Sequence, residues 1–499
     1  MPIDFYYYST AITGLFCYFF LRSKWPGWIF LPFFFIFLRL AIDIGIHPLI
    51  QILAGIETEI KKNDIILPAS PNQILPAIWL LVTGSFSILI GMVFVRVLRT
   101  NTPAPAHVPI KLHRTQTGYQ AARTIFVFGV AMNLVAIYFA SKGISILEVA
   151  STRAVFTNKA AYENFIFNYA WLLRNTIYVG AWGMVIFAGR SKQRARYGAM
   201  AVFISIAIEP IYGGREKAVF AVIAAYLIYA YGNKSLSVKF IIIFAVTGLL
   251  SLVMLSSVRY GVSFDKSIFM VLQSIFNSRS INEAAFAMEY FPEKIDFLNG
   301  SSLKASLSHL IPGLKAEDSL NIWRFLESVF IEQHRRATSI GGETISTHVE
   351  SFMNFGYAGV IVLGIVYGLI FGLIFEWNRV NRFNPLVYLF AVGAITAFIP
   401  GLFRKMPAEI AVLPITYLVP IGYIAAKIAG HKALRAFQTI IALLLLSIVT
   451  YKITGASVVK YGMFVMIVAL YKASLSNINR YTRSLVHRNR INYSGLPPE

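Results

Sequence analysis

A helix needs about 20 apolar residues to cross a bilayer core, and this chain supplies about thirteen runs of that kind. They fall at residues 5–21, 25–43, 75–98, 124–141, 166–189, 198–212, 217–232, 239–257, 347–376, 385–400, 409–427, 436–453 and 459–472. In hydrocarbon every backbone N–H and C=O must be satisfied within the protein, so a chain built this way folds as spanning helices. The expected fold class is an all-α polytopic membrane protein. Composition agrees: 57% of the 499 residues are hydrophobic, 14% are charged, and the mean hydropathy is +0.63, well outside the range of a soluble domain.

The basic residues set the orientation. Arg22 and Lys24; Arg96, Arg99, Lys111 and Arg114; Arg190, Lys192, Arg194 and Arg196; Arg379 and Arg382; Lys432 and Arg435; and Arg480, Arg483, Arg488 and Arg490 form clusters between the runs. With the spans above, every cluster falls on one side, which the positive-inside rule makes cytoplasmic. The C-terminus is then inside. The first run follows an uncharged Pro2 to Ser9 stretch instead of a basic flank, so it reads as a span with the N-terminus outside and not as a cleaved signal. Orientation and anionic headgroups account for much of the net charge of +22, and nucleic acid is not expected as a partner. The lone Cys17 rules out an intrachain disulfide framework and a cysteine-based zinc site.

Four regions follow: N-terminal transmembrane helices over 1–257, a large extracytoplasmic helical segment over 258–345, C-terminal transmembrane helices over 346–472, and a basic cytoplasmic tail over 473–499. The outer segment mixes acids and bases nearly evenly. It also places Ile322, Phe325, Leu326, Val329 and Phe330 at helical spacing, the pattern of a helical cap lying against the membrane.

Against the charge bias obeyed elsewhere, basic residues also stand at the outer ends of apolar helices. Gly213-Gly214-Arg215-Glu216-Lys217 makes a tight reversal, with Arg215 and Lys217 at the start of the next helix, where the dipole favours anions. Arg259 ends the span that follows, and Arg404 and Lys405 lie in the short Pro400 to Pro407 turn. Each alone reads equally as a side chain snorkelling to headgroups. Together they point to one anion site, because the arginine fork matches phosphate oxygens bidentately.

His348 and Glu350, leading into the most apolar helix, are the acid/base candidates nearest to those turns. Structural pairing is an equal reading for both: a hydrogen-bonded histidine, and a carboxylate paired with Arg404 or Arg215. Walker, dinucleotide-binding and HExxH motifs are all missing, so the chemistry is expected to draw on an activated substrate with neither cofactor nor metal. Arg174, inside a span, favours a transporter instead, although it also suits pairing with Glu209 or a place in a glycan groove.

The order of Gly213-Gly214-Arg215, Arg259-Tyr260-Gly261, Phe297-Leu298-Asn299-Gly300-Ser301-Ser302, Ile311-Pro312, and Glu350 with Asn354-Phe355-Gly356 and Gly359 resembles the Wzy-type oligosaccharide repeat-unit polymerases. The likeness covers roughly residues 200–410; the flanking helices match only in being hydrophobic. It implies a glycosyltransferase C-like membrane core in the bacterial inner membrane. The implied reaction is polymerisation of undecaprenyl-diphosphate-linked oligosaccharide into O-antigen or exopolysaccharide, with a chain-length regulator and a flippase as partners. On this reading Arg215, Lys217, Arg259, Arg404 and Lys405 hold diphosphate, and Glu350 or His348 assists the acceptor hydroxyl. An O-antigen ligase shares the site logic with a different acceptor, and a lipid-linked glycan flippase is the alternative from outside enzymology.

The topology is open to direct test. A membrane-impermeant thiol reagent is expected to reach a cysteine placed at Ser301 in a Cys17→Ser background without permeabilisation. Labelling only after permeabilisation would invert the orientation.

Overall fold

Helices are the only regular structure among the described residues, as the backbone constraint of a bilayer requires. The computed structural model describes residues 31–40, 71–99, 115–141, 165–189, 191–208, 279–307, 346–381, 384–403, 406–454 and 457–493, with isolated positions between 223 and 265. In chain order the helices are α1 (Leu31–Leu40), α2 (Pro71–Leu98), α3 (Thr115–Ser141), α4 (Phe165–Leu173), α5 (Thr176–Ile186), α6 (Lys192–Ala207), α7 (Arg279–Tyr290) and α8 (Ser301–Leu307). They continue as α9 (Thr347–Val380), α10 (Pro385–Phe403), α11 (Met406–Leu413), α12 (Val419–Ala429), α13 (His431–Thr454) and α14 (Ser457–Tyr493).

Six helices in the described residues are long and apolar enough to cross a membrane, and the chain is a helical, multi-pass membrane protein. The run at 5–21 and most of 217–232 and 239–257 lie outside the described residues, as do Ile322 to Phe330. α10 is the centre of the bundle. Leu386, Val387, Leu389, Val392, Ile395 and Phe398 are all fully buried, so it is covered on every side. α13 and α14 form the periphery, and Leu445, Leu446, Val449, Phe464 and Val465 expose an apolar face of the kind lipid covers.

Four expected segments take a different form. The span at 166–189 divides into α4 and α5 at Arg174-Asn175, where Ile177 and Tyr178 donate their N–H groups to the carbonyls of Arg174 and Asn175 in tighter, three-residue steps. Asn133 of α3 stabilises the break by donating its amide to the Arg174 carbonyl (3.1 Å). Buried Arg174 stacks its guanidinium on Trp171, 3.8 Å from the ring centre. The span at 409–427 contains a π-turn at Pro414–Leu418, consistent with the N–H that proline cannot supply. The last span and the tail are not separate, since α14 runs unbroken from Ser457 to Tyr493.

The fourth difference matters most. α9 was expected to be one span from 347 to 376, yet Phe355 (φ −145°, ψ 19°) and Gly356 (φ 63°, ψ −156°) break it. In an unbroken helix Ser351 and Gly359 would lie about 12 Å apart along the axis, and Ser351 and Tyr367 about 24 Å. Instead a Cβ on Gly359 would collide with the Ser351 carbonyl oxygen, and Tyr367 comes within interaction range of Ser351 and Glu350. The chain therefore reverses at Gly356, and a short arm, 347–354, folds back along the long arm, 357–380. The expected span runs past the reversal because Phe352 and Met353, at the end of a largely polar short arm, lead directly into the apolar long arm.

The long arm packs backbone to backbone against α2. Gly364, Gly368 and Gly372, one helical turn apart, meet Ser87, Ile88 with Gly91, and Met92 in turn. At the far end Arg96 of α2 bonds both carboxylate oxygens of buried Glu376 (3.3 Å each), which Arg379 also grips through Nε (2.8 Å). Truncating one partner of so buried a network would strand charge, so the pairing fixes the register of the two helices.

A Cβ at Gly368 would meet the Ile88 carbonyl, which cannot move without disturbing α2. Gly368→Leu is therefore expected to destabilise the detergent-purified protein by about 1–3 kcal/mol or more. Gly462→Leu, with open space around the glycine, should leave the thermal midpoint unchanged. Equal midpoints for the two variants would refute the packing.

Candidate functional site

The short arm 347–354 carries both acid/base candidates, and the segment 279–307 holds it at both ends. At its start the Ser346 hydroxyl caps Val349 N–H (3.4 Å), and Glu283 of α7 accepts from the Ser346 N–H (3.0 Å), placing a carboxylate at a helix N-terminus. At its finish the carbonyls of Met353 and Asn354 would have no helical donor, because the chain reverses. Leu298 and Asn299 supply the missing N–H groups, at 2.9 and 3.1 Å.

This cap works because Asn299 (φ 46°) and Gly300 (φ 83°) turn in the left-handed region, which asparagine and glycine tolerate best. The two turns then exchange rings. Phe355 lies where a Gly300 Cβ would project, and Phe297 lies where a Gly356 Cβ would project, each about 3.1 Å from that position.

Glu350 sits in the middle of the arm, 2% exposed. Its Oε1 accepts from Ser302 Oγ (3.0 Å), and Asn354 Nδ2 donates to the same hydroxyl (2.7 Å) and to the Glu350 carbonyl (2.7 Å). Asn354 Oδ1 accepts from Gly300 N–H (3.0 Å). Ser302 thus donates its one hydroxyl hydrogen bond to the carboxylate while accepting one from the amide, an arrangement that orients one carboxylate oxygen. Tyr367 of the long arm is close enough for an electrostatic interaction with Glu350.

His348 faces elsewhere. Two positions from Glu350 on a helix, it projects from nearly the opposite side, and its Nε2 lies 3.3 Å from Ser85 Oγ of α2. The imidazole packs on Gly84, where any Cβ would overlap it, and buried Arg39 of α1 is near enough for its charge to act on the ring. The described structure therefore does not bring the two candidates to one point.

Arg215, Lys217, Arg259, Arg404 and Lys405 lie outside the described residues, as does Glu209. The residues flanking one pair are described. Thr347 Oγ1 donates to the Gly401 carbonyl and accepts from Met406 N–H (2.9 Å), so both flanks of Arg404-Lys405 are tied to the residue one turn before Glu350.

Compared with known proteins, the chain matches no family model, no curated protein and no solved structure.

Reasoning from sequence missed three parts of this site. Ser302 and Asn354 were visible only as members of a motif, with nothing to connect them to Glu350. Arg39 was passed over inside an apolar run, although an ionisable residue at membrane depth is a signal in itself. Among the described residues no group of three metal-ligating side chains forms, so no metal position is assigned.

Asn354→Ala removes the acceptor of Gly300 N–H and both amide donors from a buried network. The expected cost is about 1–3 kcal/mol in thermal or denaturant unfolding, with faster limited proteolysis of the 279–307 segment. Unchanged proteolysis would mean that the cap holds without Asn354.

Proposed function

We propose that the protein is a membrane glycosyltransferase that polymerises undecaprenyl-diphosphate-linked oligosaccharide repeat units into bacterial surface polysaccharide at the outer face of the cytoplasmic membrane. Glu350 is the general base in this reading. The diphosphate is held by Arg215, Lys217, Arg259, Arg404 and Lys405. The observation that carries it is the buried Glu350 carboxylate, oriented by Ser302 on an arm whose Thr347 binds Gly401 and Met406, which lie on either side of Arg404 and Lys405 in sequence.

The chemistry follows from that pairing. The acceptor hydroxyl oxygen attacks the anomeric carbon and gives its proton to Glu350, while the bond from that carbon to diphosphate breaks and the oxygen leaves with the electron pair. Charge grows on an oxygen next to fixed guanidinium groups, the electrostatic stabilisation that needs no nucleotide. Tethering to the Asn299-Gly300 turn places the base on a rigid support, and His348, turned towards Ser85 and Gly84, braces the arm.

A second reading, movement of an anionic lipid-linked glycan across the bilayer, draws on buried Arg39 and Arg174 within apolar helices. Incubating purified protein with lipid-linked repeat units separates the cases. A product ladder indicates polymerase, one transfer to a lipid A core indicates ligase, and translocation without a new glycosidic bond indicates the transporter. Glu350→Gln keeps an acceptor for Ser302 but not the basicity, so elongation should nearly cease with donor binding retained, and His348→Ala should lose less. Arg215→Lys should be nearly as damaging as Arg215→Ala, by on the order of 10- to 100-fold, because an ammonium lacks the fork. Normal elongation by folded Glu350→Gln removes the base, and full-length polymer from Arg215→Lys removes bidentate binding.

A further inference from the structure

The face of α14 that points away from the bundle changes character part-way along its length. Tyr461, Phe464, Val465 and Val468 are exposed apolar side chains, and at about 100° per residue they form one stripe. The same stripe continues into an open concavity of about 410 Å³ lined by Lys472, Leu475, Ser476, Asn479, Arg480 and Arg483. α14 contains no aspartate or glutamate, and none of these three cations forms a salt bridge among the described residues. Positive charge has thus been gathered on a single surface without a counter-ion among the described residues, directly below a surface suited to acyl chains.

We propose that this stripe binds an anionic phospholipid at the membrane face where α14 emerges. The phosphate lies among Lys472, Arg480 and Arg483, with Ser476 and Asn479 as neutral donors, and the acyl chains run along Phe464, Val465, Val468 and Leu475. Arginine forks match phosphate oxygens, and each basic side chain near a headgroup layer adds to anionic-lipid affinity. A zwitterionic headgroup would bring its own ammonium to three cations, with no carboxylate on α14 to receive it. Free phosphate would leave the apolar half of the stripe unused. The site is independent of the transfer chemistry, since none of its residues belongs to the Glu350 network.

The test uses the full chain in detergent, titrated with dioctanoylphosphatidylglycerol, dioctanoylphosphatidylcholine or inorganic phosphate and read by native mass spectrometry. The native chain should retain phosphatidylglycerol in preference to the other two. Lys472→Gln/Arg480→Gln/Arg483→Gln should weaken that binding on the order of 100-fold, while the charge-conserving Lys472→Arg/Arg480→Lys/Arg483→Lys should keep most of it. Lys192→Gln/Arg194→Gln/Arg196→Gln on α6, which removes equal charge elsewhere, should bind as the native chain does. The site is refuted by equal retention of phosphatidylcholine, by phosphate binding as well as the lipid, by undiminished binding in the glutamine variant, or by an equal loss in the α6 variant.

Discussion

Two backbone N–H groups, from Leu298 and Asn299, decide whether the arm 347–354 can exist. A short helix that reverses leaves its last carbonyls without helical donors, and buried carbonyls need partners from elsewhere in the chain. The Asn299-Gly300 turn meets that need from a distant part of the chain. Everything at the candidate site depends on it: the placement of Ser302 on Glu350, the engagement of Asn354, and the contact of Thr347 with Gly401 and Met406. A site on such an arm combines the rigidity of a capped helix with a position set by tertiary contacts on several sides.

The long arm supplies the fixed reference. Its glycine ridge lets α2 approach at backbone distance, where dispersion and close fit replace the hydrophobic effect that lipid removes as a driving force. Glu376, shared between Arg96 and Arg379, locks the other end of the pair. The same α2 that is held by glycines below also offers Gly84 and Ser85 to His348. One helix thereby aligns both arms, and the imidazole serves as a spacer between the short arm and the bundle.

Hydropathy made the helical, multi-pass class and several long helices of the described residues legible. α2, α10 and α13 coincide with expected spans to within a turn or two, and α3 ends where expected but starts at Thr115 and not at 124, because a long apolar run has few alternatives in a bilayer. The failures share a cause. At Gly356, at Arg174-Asn175 and in the π-turn after Pro414, the backbone departs from a helix while the residues stay apolar or the interruption is too short to lower a window average. At the site, Glu350 and His348 stood out as ionisable groups beside an apolar run. Their separation onto opposite faces required the helical register, and the pairing of Glu350 with Ser302 required a turn 48 residues away. The arginine set, which carried the argument from sequence, falls outside the described residues, and its convergence rests on the proposal.

The exchange of rings between the two turns has an evolutionary consequence. Phe297 covers Gly356 and Phe355 covers Gly300, so each segment supplies the aromatic group that the other's glycine must accommodate. A side chain added at either glycine meets both an unfavourable φ and an occupied space, and a smaller residue at either phenylalanine opens a gap over the opposite turn. Drift at these four positions is therefore epistatic. The two segments, 54 residues apart at the Gly300 to Asn354 bond, are constrained to change together.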